Sequence, residues 1–242
     1  GSVLYGNLAR IISKRLNVPF IISEHTGPFS KISNNKIFKY LSKKSMERAG
    51  AVLPVSNDLK KQIERAAISP TKIMIPYNPV DTKIFSIKTD KKENKCFIFA
   101  GRLENYKGPL RCIKAFNNIL DQYPDWNFKI IGDGPQKEEI ESFLEGNPAL
   151  RERIILTGKL SKLKIANIMQ NCDFFIHPSE YETFGIVNAE AMSCGLPIIV
   201  GNKTAPLEFV DKESGLFVDP LSIDEISDAI EYMINNHKHF NP

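Results

Sequence analysis

The chain has 242 residues, enough for one large domain or two small ones with a substantial core. Hydrophobic residues make up 42% and charged residues 25%, close to ordinary globular usage, which argues against the fibrous and disordered classes. The 32 Lys and Arg against 28 Asp and Glu leave a net charge of +4, too small to indicate a nucleic-acid-binding protein but compatible with anionic ligands.

The 4 cysteines are far apart and include no Cys-x-x-Cys pair, so they indicate neither a zinc site nor a redox dithiol. A reduced, cytoplasmic protein is therefore expected. Apolar runs such as residues 97–100 are far shorter than the ~18 residues that cross a bilayer. Residue 1 is Gly rather than Met, which predicts either a tag remnant or a piece of a longer chain.

Helix and strand patterns alternate along the first part of the chain, which is typical of parallel sheets with helical crossovers. The predicted helices are residues 3–16, 35–48 and 57–66, and the predicted strands are residues 19–23, 51–55 and 72–75. Ser56 or Asn57 would cap the third helix. Residues 77–81 and the polar stretch 88–95 predict a connection, so we place the domains at 1–82 and 83–242.

The second part begins again with a buried strand at 96–100 and a helix from about Pro109, whose apolar face contains Ile113, Phe116 and Leu120. Further strands are predicted at residues 127–131, 153–156, 173–177, 197–200 and 215–218. Further helices are predicted from about 136, at 163–169, 185–192, around Glu208 and at 223–234. The alternation predicts a doubly wound parallel sheet, whose ligands bind beyond the carboxyl ends of its strands.

The loop after the strand at 96–100 contains Arg102 and Lys107. These residues would direct two cations at one point beside a helix N-terminus. Cations and backbone N–H groups can stabilise a nucleotide diphosphate leaving group without a metal. Solvated surface charge is the alternative interpretation.

Two carboxylates flank the start of the predicted helix at 185–192. Glu182 would lie in the preceding loop, near the reactive end of a ligand, and Glu190 farther along the helix. A carboxylate there can accept hydrogen bonds from the paired hydroxyls of a sugar. Gly185 permits close approach of the backbone to a phosphate. The alternative is one acid at a helix start and one on the surface.

Two further loops hold candidate residues. The turn from Gly132 to Pro135 is first of all a tight turn, although small Gly132 and Gly134 would let a flat base lie there. His25 follows the first strand and would lie on the rim of a cleft between the halves, with a structural role as the alternative. The spacing of His, Cys and carboxylates indicates no metal site.

The predicted helix at 35–48 is basic and partly apolar. Its cations and apolar residues are Lys36, Lys39, Lys43, Lys44 and Arg48, with Ile37, Phe38, Tyr40 and Leu41. Such a helix could lie against anionic lipid, or it could present a solvated face.

Together, these motifs resemble those of family 4 glycosyltransferases. They are Gly101-Arg102-Leu103 with Lys107-Gly108, Gly132-Asp133-Gly134-Pro135, Pro178-Ser179, Glu182-Thr183-Phe184-Gly185, Glu190-Ala191-Met192 and Gly195-Leu196-Pro197. The resemblance covers roughly residues 96–220, with weaker matches at Ser23-Glu24-His25, Val55-Ser56 and 78–81. It implies the α/β GT-B fold, two Rossmann-like doubly wound parallel-sheet halves facing a cleft, the first of them incomplete.

The resemblance implies a retaining hexosyltransferase that uses a UDP-, GDP- or ADP-sugar and no metal or other cofactor. Carried over by position, Arg102 and Lys107 hold the donor diphosphate, Glu190 the ribose hydroxyls, and Glu182 and His25 the donor sugar. The backbone N–H groups of Phe184, Gly185 and Ile186 would contribute, and Gly132 and Gly134 would border the nucleotide. We expect Glu182, His25, Arg102 and Lys107 to be the catalytic residues.

The acceptor expected from the resemblance is a glycan or a lipid-linked glycan, bound mainly by the first half, in polysaccharide or lipopolysaccharide synthesis. Cytoplasmic location follows, at the inner face of the membrane if the basic helix contacts it. The alternatives are a nucleotide-sugar-binding module without turnover and a GT-B-fold epimerase.

Two departures from the family pattern leave the donor base and sugar open. Thr204-Ala205-Pro206-Leu207 stands where relatives often carry Gly-Gly, and Asn78-Pro79-Val80-Asp81 replaces Asn-Gly-Val-Asp. The opening strands of the first half and the usual closing helix have no counterpart in the sequence. This predicts a fragment that binds the nucleotide but by itself turns over poorly.

Overall fold

The computed structural model describes residues 1–89 and 94–242. They divide into two compact units: unit 1 contains Gly1–Pro79 and Tyr181–Phe184, and unit 2 contains Val80–Glu180 and Gly185–Pro242. In each unit parallel strands alternate with helices, as the sequence pattern predicts. The domain boundary predicted from the sequence lies after residue 82, and part of the predicted connection at 88–95 lies outside the described residues.

Unit 1 contains a sheet of two parallel strands with helices between them. Its elements are α1 (Tyr5–Leu16), β1 (Ile21–Glu24), α2 (Ser30–Ser33), α3 (Lys36–Met46), β2 (Ala51–Pro54) and α4 (Asn57–Arg65). Ile21 of β1 lies opposite Ala51 of β2. The Ser56 hydroxyl accepts a hydrogen bond from the Leu59 N–H at 3.0 Å, so Ser56 caps α4 as predicted.

The prediction of a strand at 72–75 is wrong. Ile73 forms only an isolated parallel bridge with Val52. Pro70 and Pro76 flank this segment, and proline restricts its neighbours and removes a backbone donor. The apolar run between them is therefore too short to extend the ladder.

Unit 2 contains a sheet of six parallel strands among the described residues. Its strands are β3 (Cys96–Ala100), β4 (Asn127–Ile131), β5 (Ile154–Gly158), β6 (Phe174–His177), β7 (Ile198–Gly201) and β8 (Gly215–Val218). Its helices are α5 (Pro109–Ile119), α6 (Lys137–Glu145), α7 (Pro148–Arg151), α8 (Lys162–Met169), α9 (Ile186–Ser193) and α10 (Ile223–Asn236). Short 3₁₀ turns occupy Asn105–Lys107, Ala205–Glu208 and His237–His239. The helix predicted around Glu208 is thus only a 3₁₀ turn, because Phe209 after it leaves the helical conformation.

The strand order β5-β4-β3-β6-β7-β8 puts β3 and β6 in the middle of the sheet. Every residue of β3 is buried. Phe97 stacks on Phe128 of β4 and Phe174 of β6, with ring centroids 4.3 Å and 4.8 Å apart. On the other face Ile98 belongs to a second buried cluster that includes residues of α8 and α9. These two cores fix the strand ends from which the candidate loops begin.

Within the described ranges, no helix combines the length and the apolar character needed to cross a membrane.

Candidate functional site

The order of the strands in unit 2 reverses between β3 and β6. From β3 the chain proceeds through β4 to β5 on one side, and from β6 through β7 to β8 on the other. Doubly wound sheets bind ligands at this switch point, beyond the carboxyl ends of the strands. The loop after β3 contains Arg102 and Lys107, and the loop after β6 leads to α9 and Glu190.

The loops after β3 and β4 lie directly against each other. Leu103 donates its N–H to the Asp133 carbonyl at 3.0 Å, and its own carbonyl accepts the Gln136 N–H at 2.9 Å. Gly134 has φ +159°, and a Cβ there would lie 2.6 Å from the Leu103 carbonyl oxygen. A Cβ on Gly132 would collide with the Gly101 carbonyl. Both glycines are therefore required for loop packing alone, whatever ligand lies beside them.

A pocket of ≈ 310 Å³ opens beside these loops. Its lining includes Gly101, Arg102, Gly132, Lys159, Leu160, Ile165 and Val187. The sequence interpretation missed Lys159 and Leu160, although they follow β5 and the same strand-end rule would have found them. The walls are largely apolar and also include the cations Arg102 and Lys159 and the anion Asp133. A largely apolar pocket with a few charged groups suits a flat heterocyclic base joined to a polar group.

The structure brings Arg102 and Lys107 into one loop but gives each a partner. The Arg102 guanidinium donates to the Glu104 carboxylate at 2.7 Å, and 71% of the Arg102 side chain is exposed. The Lys107 ammonium lies 5.2 Å from the centre of the Tyr106 ring. Glu104 was not predicted, and it offsets part of the positive charge that Arg102 brings to the loop.

His177, at the end of β6, is buried below this loop. Burial, and then the charge of Lys107, lower the pKa of the His177 imidazole well below its ordinary value. The ring also packs against Phe99, with centroids 5.2 Å apart. His177 is thus a neutral core residue at physiological pH.

Gly185 begins α9 in the left-handed conformation, with φ +79°. Its carbonyl accepts the N–H of Asn188 at 2.9 Å, so the helix proper starts at Ile186. The N–H groups of the first helical turn carry a partial positive charge that favours an anion. Phe184, predicted to act together with Gly185 and Ile186, is buried in unit 1 and lies 6.2 Å from the Tyr77 ring.

Glu190 lies on α9, and only 8% of the residue is exposed. Burial raises the pKa of the Glu190 carboxyl, and the charge and hydrogen bond of Lys162 oppose this rise. The Lys162 ammonium, from the first turn of α8, lies 3.6 Å from the carboxylate. The sequence interpretation missed Lys162 because no motif links it to Glu190.

The remaining two predicted catalytic residues lie in unit 1. Glu182 is buried, with 9% of the residue exposed. His25 is exposed, and its Nε2 lies 2.8 Å from the Ser23 hydroxyl. The candidate residues therefore separate into Glu182 and His25 in unit 1 and the phosphate and ribose candidates in unit 2.

Across residues 1–89 and 94–242, no group of three or more His, Cys, Asp and Glu side chains is arranged to hold a metal ion. The predicted independence of metal stays a prediction.

Two family models match the chain. The model of the glycosyl transferases group 1 matches residues 80–241, and that of Glycosyltransferase Family 4 matches residues 2–84. The two matches together span residues 2–241.

Similar proteins include an uncharacterized glycosyltransferase of Methanocaldococcus jannaschii, 27% identical over 96% of this chain and 63% of that protein. Sulfoquinovosyl transferase of Arabidopsis thaliana is 24% identical over 98% of this chain and 49% of the relative. This chain therefore spans less than two thirds of the length of these relatives.

Solved structures with the same fold include Anabaena HepE in complex with UDP, with a TM-score of 0.83 and 20% identity. That match covers 97% of this chain and 67% of HepE. Sucrose-phosphate synthase from Thermosynechococcus elongatus has a TM-score of 0.79 and 20% identity, over 96% of this chain and 63% of the synthase. The predicted GT-B class, built from Rossmann-like parallel-sheet units, is confirmed. With a group 1 model covering 80–241 and a family 4 model covering the residues before it, the chain belongs to the family 4, group 1 glycosyltransferases.

Proposed function

We propose that the protein transfers a sugar from a nucleotide diphosphate donor to a glycan or lipid-linked acceptor, with retention of configuration and without a bound metal. One observation carries this proposal. Ile165 and Val187 line the unit 2 pocket, and each lies three residues along its helix from a member of the Lys162–Glu190 pair. Residues three apart are neighbours on a helix surface, so the buried carboxylate lies next to the pocket.

This arrangement fits the parts of a nucleoside diphosphate in order. The apolar pocket would take the base, and the Glu190 carboxylate would accept hydrogen bonds from the ribose hydroxyls. Arg102, Lys107 and the N-terminus of α9 would face the phosphates. When the sugar leaves, negative charge grows on the terminal phosphate, and these groups would stabilise it without a metal or another cofactor.

Glu182 and His25 would act at the donor sugar, and the acceptor would bind mainly to unit 1. The Glu182 carboxylate can accept hydrogen bonds from sugar hydroxyls. His25 is accessible, and its contact with Ser23 orients the ring. We place UDP-sugars first among the UDP-, GDP- and ADP-sugar donors, because Anabaena HepE, with a TM-score of 0.82, has been solved in complex with UDP-glucose.

The test measures free nucleotide released from UDP-glucose, UDP-N-acetylglucosamine, GDP-mannose and ADP-glucose, with and without oligosaccharide or polyprenyl-linked acceptors. We expect release from at least one donor to depend on an acceptor. The anomeric configuration of the product, determined by NMR, tests retention. Release of nucleotide without an acceptor would indicate hydrolysis, and binding of the donor without release would indicate a binding module. Conversion of the donor sugar into its epimer would indicate an epimerase. Each of these results would contradict the proposal.

We also propose that α3 contacts the anionic inner face of a membrane, which would place the protein in the cytoplasm at that surface. Ile37 and Phe38 are exposed on α3, with 68% and 45% of their surface accessible, and the same helix carries the exposed cations Lys36, Lys43 and Lys44. Apolar residues flanked by cations favour binding to anionic lipid.

Cosedimentation with phosphatidylglycerol and phosphatidylcholine vesicles tests this contact. The triple variant Lys36→Glu, Lys43→Glu, Lys44→Glu should bind phosphatidylglycerol vesicles more weakly than the wild type. The control variant Lys203→Glu, Lys212→Glu changes exposed cations of unit 2 and should bind as the wild type does. Equal loss in both variants would exclude a specific role of α3.

A further inference from the structure

An arginine in the first turn of α5 joins the two central loops of unit 2. One terminal nitrogen of Arg111 donates to the Asn105 side-chain oxygen at 3.1 Å, in the loop after β3. The other donates to the Glu180 carboxylate at 2.8 Å, in the loop after β6. Only 14% of the Arg111 side chain is exposed. A planar guanidinium can hold two acceptors at a fixed separation, which a single ammonium cannot do.

A second set of hydrogen bonds joins the same two loops through the backbone. The Tyr106 carbonyl accepts the Glu180 N–H at 2.8 Å and the Ser179 hydroxyl at 3.2 Å. Asn105 and Tyr106 are the first two residues of the 3₁₀ turn Asn105–Lys107. Of the two residues before Lys107, Asn105 is thus held by Arg111 of α5, and Tyr106 is held by the loop after β6.

The cation of this ion pair, Arg111, lies near the N-terminus of α5. The N-terminus of a helix carries a partial positive charge, so a cation there is unfavourable unless an anion lies close by. Glu180 supplies that anion. Most exposed ion pairs contribute little to stability, and this one is only partly buried. Its distinctive effect is therefore geometric, because it fixes the turn that carries Lys107.

We propose that Arg111 and Glu180 are positioning residues, which hold the Lys107 turn so that the ammonium meets the terminal phosphate of the bound nucleotide. This inference rests on the proposed function, in which Lys107 binds the donor diphosphate. Neither residue needs to touch the ligand. Loss of either side chain would leave only the bonds to the Tyr106 carbonyl to hold the turn. The contact of Lys107 with the terminal phosphate would weaken, while contacts to the base and ribose would remain.

The decisive variant is Glu180→Ala, because its predicted effect opposes simple electrostatics. Removal of a carboxylate near an anion site should strengthen binding of the diphosphate if charge alone matters. The same removal should also strengthen binding if Arg111 is itself a phosphate ligand, because the guanidinium would no longer be paired with Glu180 and could bind the phosphate. If the pair positions Lys107, Glu180→Ala weakens binding instead.

The experiment measures, by calorimetry, the Kd of UDP, GDP and ADP, and then compares the tightest of them with its monophosphate. We expect Glu180→Ala and Arg111→Ala each to weaken diphosphate binding about tenfold, the size of one charged hydrogen bond, with monophosphate binding unchanged. Arg111→Lys should behave like Arg111→Ala, because one ammonium cannot span Asn105 and Glu180. Glu180→Gln keeps an acceptor oxygen and should restore part of the affinity.

The matched control is Asp125→Asn, which removes the Lys95–Asp125 ion pair of 2.9 Å at the amino ends of β3 and β4. It should leave both affinities unchanged, and all variants should have similar thermal midpoints. Diphosphate binding that is unchanged or stronger in Glu180→Ala overturns the inference. An equal loss of monophosphate binding also overturns it, because that loss would indicate general disruption. If the wild type binds the diphosphate but transfers no sugar, the proposed function fails while the positioning result stands. If it binds no nucleotide, both fail.

Discussion

The Lys162 ammonium lies 3.6 Å from the Glu190 carboxylate, although the two residues come from different helices, α8 and α9. Burial raises the pKa of Glu190, and Lys162 lowers it again in part. The ionised carboxylate acts only as an acceptor, through both oxygens, which suits a pair of donating ribose hydroxyls, whereas protonation turns one oxygen into a donor. Lys162 therefore keeps a buried carboxylate available to a ligand.

Nucleotide affinity should fall as the pH falls through the raised pKa of Glu190. Lys162→Met removes the favourable charge, so the loss of affinity should begin at a higher pH than in the wild type. Calorimetric titration with UDP between pH 5 and 8 measures this shift. Lys164→Met, an exposed change on the same helix, is the control and should reproduce the wild-type curve. Superimposable curves for Lys162→Met and the wild type would show that the Lys162–Glu190 ion pair does not influence nucleotide binding.

The raised pKa of Glu190 predicts that protonation of this carboxyl stabilises the folded protein, although it weakens nucleotide binding. Because the folded pKa of Glu190 is raised above its ordinary value of 4.5, the folded state binds a proton more tightly than the unfolded state. Stability contributed by this group is present below 4.5 and is lost as the pH rises through the folded pKa. Glu190→Gln should therefore have a higher thermal midpoint than the wild type at pH 7, and the difference should disappear in acid. A lower midpoint at pH 7 would contradict this sign.

Removal of Glu190 and removal of Glu182 should affect the binding of different parts of the donor. Glu190→Ala should weaken binding of free UDP, whereas Glu182→Ala should leave UDP binding unchanged and weaken the donor sugar or its transfer. A charged hydrogen bond contributes roughly 1.5–3 kcal/mol, so each loss should be about tenfold to a hundredfold. Comparison of the Kd values of UDP and UDP-glucose for both variants measures the separation. Equal weakening of UDP binding by both changes would refute the assigned roles.

Nucleotide diphosphate binding should not need a divalent metal. In the proposed site, Arg102, Lys107 and the N-terminus of α9 would offer positive charge to the phosphates in place of a metal. The Kd of UDP in EDTA should equal that in magnesium or manganese. Binding that vanishes in chelator and returns with metal would show that these groups do not suffice.

The fold of unit 2 follows closely from local pattern. The strand predicted at 96–100 matches β3, because five consecutive apolar residues are buried on both faces of a parallel sheet. The predicted strand at 72–75 in unit 1 has a shorter apolar run of three residues, and Pro70 and Pro76 limit its pairing to Ile73. Apolar pattern alone therefore predicts a strand only where proline leaves the backbone free to pair.

The site was predicted less completely than the sheet. Strand ends and glycines indicate which loops can meet a ligand, and these gave Arg102, Lys107 and Glu190. The partners of these residues depend on side-chain pairing across the fold. Glu104 is only two residues from Arg102, yet charges at that spacing are common in loops and indicate no particular pair. Lys162 comes from another strand-to-helix unit, so only the packing of α8 beside α9 shows its contact with Glu190.

The last prediction concerns the start of α9. Gly185 has φ +79°, which costs an L-residue roughly 1–2 kcal/mol. A Cβ at this position would also lie 2.6 Å from the Asn188 amide nitrogen and 2.7 Å from Pro206 Cγ. Asn188 can rotate away, but the proline ring cannot, so Gly185→Ala should combine conformational strain with a displaced helix N-terminus.

Gly158 provides the matched control, since it has φ +68° and a Cβ there would meet no described atom within 4 Å. Gly158→Ala should therefore show the conformational cost alone, a fall in thermal midpoint of a few degrees at roughly 2–4 °C per kcal/mol. The thermal midpoint of Gly185→Ala should fall further, and this variant should also bind UDP more weakly, because in the proposed site the first N–H groups of α9 would face the phosphates. Equal midpoints for the two variants would show that Pro206 yields to the added methyl group. Normal UDP binding by Gly185→Ala would show that the N-terminus of α9 does not bind the phosphates.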